Sequence, residues 1–203
     1  MNILEDEWIK SDDVAKISVP RILKILKEIL PEYDTTFIEE KGKEGYIPNP
    51  FVFEMSNVVE KKIVGGVMHL ELGIMFLELS KMSLMDKREV HNLRIYLENS
   101  IGAFYRAVGV LINIDKTKEL AAYAAILMTD LTNIAMELGE QSILENTIAA
   151  TFALIDLPSD KSDKEHIALA ISEGYKNNGQ IKLSELALKI SKEVINDEEG
   201  RNE

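Results

Sequence analysis

The sequence predicts an all-α protein: an antiparallel helical bundle of about six helices with a small N-terminal α or α+β element. Three observations carry this reading. From about residue 54 to residue 196, apolar residues recur at helical spacing in nearly every window. Hydrophobic residues make up 46% of the chain but aromatic ones only 6%, and such aliphatic interiors suit helix against helix better than a β-sandwich. Short polar connections rich in glycine, proline and asparagine separate the periodic segments, which implies antiparallel neighbours.

The elements follow in order. "SDDVAKISVPRILKILKEILPEY" predicts a short helix, a break, and a second helix capped by Ser18, with Pro20 tolerated in its first turn and Pro31 closing it. In that second helix Ile22, Leu23, Ile25, Leu26, Ile29 and Leu30 form an apolar face, with Arg21, Lys24 and Lys27 opposite. "DTTFIEEKGKEGYIPNPF" predicts an extended hairpin: a strand at 35–39, a turn at "KGKEG", and a return strand at Tyr46 and Ile47. Pro48 and Pro50 mark the boundary, so 1–50 reads as a small N-terminal element, 54–196 as the bundle and 197–203 as a disordered tail. Within the bundle, helices are expected at about 57–82, 86–112, 115–139, 141–157, 164–177 and 183–195. Asp115 is expected to cap the third, and Gly139 to end it.

Composition restricts function. The net charge of −12 opposes a whole-surface nucleic-acid binder, although a local basic patch stays open. The chain has no cysteine, so disulfides, thiolate zinc sites and cysteine nucleophiles are excluded. The acidic start "MNILEDE" is unlike a signal peptide, and the most apolar window, 63–79, is interrupted by His69, Glu71 and Glu78. No membrane partner is therefore expected, and a cytoplasmic location is.

The candidate chemistry lies on the first two bundle helices. Glu60, Glu71 and Glu78 fall within about 20° of one line, flanked closely by Val64, Val67, Ile74 and Met75. His69 points away from that line. On the next helix His91, Arg94, Glu98 and Tyr105 share a line. If the two lines face each other, Glu71, Glu78, His91, Arg94 and Glu98 form a polar cluster. Glu71, Glu78, His91 and Glu98 could then hold iron or manganese, since carboxylates and imidazoles projecting into a bundle core suit those metals. The Glu-x-x-His signature of such bundles is absent, and Arg94 on the same line favours a salt-bridged seam instead.

"SDDVAKISVPRILKILKE" resembles the helix-turn-helix of bacterial and archaeal regulators, over about a quarter of the chain. The resemblance implies a winged-helix-like DNA-binding element, with Arg21, Lys24 and Lys27 directed to nucleic acid and Lys41 and Lys43 in the wing. "IALAISEGYKNNGQIKLSELALKISKEV" resembles a helical hairpin of the tetratricopeptide kind, which implies a packing style.

No nucleotide loop or nucleophile motif accompanies these features. The expectation is a non-catalytic helical interaction or regulatory protein. Its expected partner is another protein or a second copy, as a homodimer through the apolar helices 57–82 and 101–112. The alternatives are a metal-dependent bundle enzyme and a winged-helix-like regulator, with nucleic acid the less expected partner.

Overall fold

The computed structural model describes residues 7–85 and 90–196. By its internal contacts the chain divides into two compact units, 1–72 and 73–203. The division falls inside a long helix rather than at the prolines near residue 50.

In the first unit, strand β1 (Trp8–Lys10) leads into α1 (Asp12–Ile29) and α2 (Thr36–Lys43). Strand β2 (Tyr46–Pro48) and the short α3 (Pro50–Glu54) follow, then the start of α4 (Val59–Met85). β1 and β2 pair antiparallel, with Ile9 opposite Ile47. Asn49 is fully buried and caps α3, its side-chain oxygen accepting from the Phe51 amide at 3.2 Å. Pro50 occupies the first turn, where its missing N–H costs nothing.

Two expectations are corrected here. The helix does not break ahead of Ser18: α1 runs unbroken for 18 residues, with Ser18 and Pro20 in its interior. An interior proline costs a helix one hydrogen bond. That loss is offset by a continuous buried stripe of Ala15, Val19, Ile22 and Leu26, which only an unbroken helix can present. The hairpin over 35–47 does not form either. Residues 36–43 make α2, begun by the Asp34 carboxylate accepting from the Thr36 amide at 2.9 Å. Tyr46–Pro48 pairs with Trp8–Lys10 instead. Among the described residues of this unit, neither the tight turn nor the wing of a winged helix is present.

The second unit contains the rest of α4, then α5 (Val90–Leu111), α6 (Lys118–Leu138), α7 (Gln141–Ala153), α8 (Lys161–Asn177) and α9 (Ile181–Asn196). All six expected bundle helices are present. The Gly73 carbonyl accepts from the Ser100 hydroxyl at 2.8 Å, and Phe76 stacks on Tyr96 with ring centroids 6.4 Å apart. A Cβ on Gly73 would lie 2.5 Å from the Phe104 ring, so α4 and α5 approach closely there. α6 and α8 approach as closely at Gly174, where a Cβ would lie 2.5 Å from the Thr129 hydroxyl. Tyr175 is fully buried, stacked on Phe152 and 3.3 Å from the Thr132 hydroxyl.

Helix ends explain the corners. Gly139 ends α6 at φ 76°, as expected of a C-terminal glycine. Asp115 is not the cap of α6. It lies in a preceding 3₁₀ turn (Asp115–Thr117) and pairs with Lys118 at 3.0 Å. The same lysine reaches the buried Asp163 of α8 at 2.8 Å. Asp130 and Asn133 of α6 meet Asn178 and Gln180 at the α8–α9 turn. The tail expected at 197–203 lies outside the described residues.

Candidate functional site

α4 supplies the buried polar groups of the first unit. From Ile63 to Leu70 it is buried on every side, and α3 crosses it closely. A Cβ on Gly65 would lie 2.6 Å from the Glu54 amide nitrogen and 3.0 Å from the Pro50 carbonyl, so glycine permits this approach. His69 is buried, and its Nε2 lies 2.8 Å from a carboxylate oxygen of Glu54. The Phe51 ring meets the imidazole edge-on at 5.2 Å between centroids. His69, which pointed away from the expected cluster, is thus one of the most enclosed polar groups in this unit.

Glu71 is also buried, and Arg21 of α1 lies 3.8 Å from it. Arg21, expected to be directed to nucleic acid, thus has its guanidinium beside an interior carboxylate.

Of the five residues of the expected cluster, the described ones of the second unit lie at the surface. Glu78 is exposed, about 140° round α4 from Gly73, which faces α5. Arg94 and Glu98 are exposed and pair with each other at 3.0 Å along α5. The physical reason is packing: the α4–α5 seam is closed by Gly73, Phe76, Tyr96, Ser100 and Phe104, which leaves the charged lines outside it. The side chain of His91 lies outside the described residues. Among the described residues no group of three or more His, Cys, Asp or Glu side chains is placed to hold a metal ion.

What the structure does assemble is a groove between α1 and α2, with a volume of about 590 Å³. Leu23 and Pro20 line it beside the buried Ala15 and Val19, with Lys16, Lys24, Lys27, Lys43 and Glu39 around them. Gly42 sets how closely the helices approach, since a Cβ there would lie 2.6 Å from a Val19 methyl. Lys43 pairs with Glu39 at 2.7 Å, and that contact holds the Glu39 carboxyl below its ordinary range. Lys16, Lys24 and Lys27 are exposed and form no ion pair among the described residues. Lys24 and Lys27 were legible as a basic face. Lys16 joins their row only because α1 continues through Ser18 and Pro20, so a break ahead of Ser18 hides it from a sequence reading.

A lysine row on an exposed helix is ordinarily a solvated face. This one borders an apolar recess, and it does so in a chain of net charge −12.

α4 is long and apolar enough to cross a membrane, with a mean hydropathy of 1.5 over its best window, but 67% of that window is buried inside the protein. Of the apolar residues in the segments on which a homodimer was expected, Val58, Val59, Met82 and Tyr105 are exposed and others are buried. Val64, Val67, Met68 and Leu70 are 0% exposed, as are Phe104, Val108 and Leu111. No protein-family model, no curated protein and no solved structure matches this chain.

Proposed function

We propose that this chain is a cytoplasmic, non-catalytic interaction protein whose N-terminal unit holds an anionic partner in the α1–α2 groove. One observation carries the reading: Lys16, Lys24 and Lys27 form an exposed row along a recess whose far side holds the Lys43–Glu39 pair, within an acidic protein. Three of those ammonium groups form no ion pair among the described residues, so a bound carboxylate or phosphate would displace no internal salt bridge. The surrounding negative charge repels anions in general and confines attraction to this patch.

The test is direct. Fluorescence anisotropy at low salt would measure binding of labelled poly-glutamate and of a random duplex DNA to the full chain and to a Lys16→Glu/Lys24→Glu/Lys27→Glu variant. Binding of either probe by the native chain, weakened about tenfold or more in the variant, is expected. Absence of binding to both probes, or equal binding by the variant, would overturn the reading.

A further inference from the structure

We infer that the N-terminal unit carries a second site, in which Trp8, Tyr33, Phe37 and Phe53 form an aromatic cage for a free quaternary ammonium compound. The cavity has a volume of about 450 Å³, within the range of small-molecule sites. It is separate from the α1–α2 groove and uses other residues of α2. Phe37, Glu40, Lys41 and Glu44 line the cavity, whereas Glu39, Gly42 and Lys43 line the groove.

The rings stand as walls. Trp8 meets Phe37 at an interplanar angle of 82° and Phe53 at 75°, and Tyr33 meets Phe37 at 88°, each with centroids 5.9 Å apart. Stacked rings fill the space between them, whereas rings set edge to face leave a corner. Phe53 is buried at the base, but Trp8, Tyr33 and Phe37 are only half-buried. One cation already uses the arrangement: Lys61 Nζ lies 5.5 Å from the Phe53 ring centroid, within cation–π reach.

Charge selects the sign of the ligand. Three carboxylates (Glu7, Glu40 and Glu44) line the cavity against two ammonium groups (Lys41 and Lys61), one negative charge in excess. Burial first, and then the carboxylates of Glu60, Asp34 and Glu7, hold the Tyr33 phenol above its ordinary value. The same field favours a cation beside that ring.

Hydrogen bonding selects the class of cation. Glu7 is engaged by Lys61 at 2.6 Å and Glu44 by Lys41 at 2.8 Å, which leaves Glu40 without an ion pair among the described residues. A primary ammonium carries N–H donors and holds its water strongly, and this cavity offers it few acceptors. A quaternary ammonium has no donor to satisfy. Ring faces and an excess of negative charge are what it needs.

Trp8 is the only tryptophan of the chain, so its fluorescence reports on the cage directly. Choline, its neutral analogue with carbon in place of nitrogen, ethanolamine and phosphatidylcholine vesicles are each titrated against the native chain. Choline is titrated again against Phe37→Leu and Glu40→Gln, with circular dichroism confirming that the variants stay folded.

The expected result is a saturable shift of Trp8 emission with choline, at an affinity at least about fivefold above that for the neutral analogue or ethanolamine. Phe37→Leu and Glu40→Gln are each expected to weaken choline several-fold. Equal binding of choline and the neutral analogue overturns the inference in favour of an uncharged apolar ligand. Equal binding of choline and ethanolamine overturns the quaternary class. Vesicle binding without choline binding overturns the free ligand in favour of a lipid headgroup. No saturable response to choline, or an affinity unchanged in both folded variants, overturns the cage. Should Phe37→Leu fail to fold, the exposed Glu40→Gln and the comparison of ligands on the native chain decide.

Discussion

His69 of α4 and Glu54 of α3 form a buried contact of 2.8 Å, and this contact ties a five-residue helix to the core of the first unit. α3 is too short to be stable alone. Its position rests on the Asn49 cap, on Phe53 in the core and on Glu54 meeting the imidazole. Glu54→Ala removes the carboxylate from a buried ring nitrogen. A loss of about 1–3 kcal/mol of unfolding free energy is expected, read from urea denaturation. A change below about 0.5 kcal/mol would show that the contact contributes nothing net.

Arg21 and Lys24 are neighbours on α1 with different roles. Arg21 compensates the buried Glu71 carboxylate, whereas Lys24 is exposed and forms no ion pair among the described residues. Removing one partner of a fully buried pair costs about 3–5 kcal/mol. Here the Arg21 side chain is 42% exposed and the contact is 3.8 Å, so a smaller loss is expected for Arg21→Ala, about 1–2 kcal/mol. Lys24→Ala should stay within about 0.5 kcal/mol. Equal effects in parallel denaturant titrations would contradict the distinction.

The legible part of this protein is its periodicity. Six bundle helices could be placed because each has an apolar stripe and a polar or glycine stop, as at Gly139 and around Gly179. The first unit was less legible, because two local signals mislead. Ser18 and Pro20 read as the cap and first turn of a new helix, yet the buried stripe from Ala15 to Leu26 carries one helix across them. "KGKEG" reads as a hairpin turn, yet only Gly45 has the positive φ of a turn, and Gly42 is instead a close-approach site against Val19. The site was half legible. Lys24 and Lys27 stood out by spacing, but Arg21 could not be separated from them without its partner Glu71, fifty residues later. His69 and Glu54 could not be joined at all, because a break and a change of direction lie between them.

Glycines inside the helices of the second unit separate packing from propensity. Gly73 lies against Phe104, where a Cβ would come within 2.5 Å of the ring, whereas a Cβ on the exposed Gly102 meets nothing within 4 Å. Gly73→Ala should therefore destabilise by about 1–3 kcal/mol through overpacking. Gly102→Ala should stabilise by about 0.5–1 kcal/mol, because alanine loses less backbone entropy in a helix. Thermal melts of the two variants should shift in opposite directions. A shift of the same sign would mean that α4 and α5 are not packed at Gly73 as described.

Tyr175 gives the second unit an alkaline limit. Burial pushes its phenol above the ordinary value of 10.0, and hydrogen bonds with Thr132 and Thr151 only partly oppose this. The folded state thus keeps the proton at pH values where the unfolded chain would lose it. Stability from this group is fully present below about pH 10 and is lost as pH rises through the higher folded value. Tyr33 acts in the same direction, raised first by burial and then by Glu60, Asp34 and Glu7, so a single melting curve does not isolate either tyrosine. Tyr175→Phe does. It loses the hydroxyl contacts at every pH, for about 1 kcal/mol, but it has no proton to lose. The difference in melting temperature between native chain and variant should be constant to about pH 9 and then close, or change sign, above about pH 10. A difference that stays constant to about pH 11 would mean that the Tyr175 phenol ionises as readily in the fold as in water.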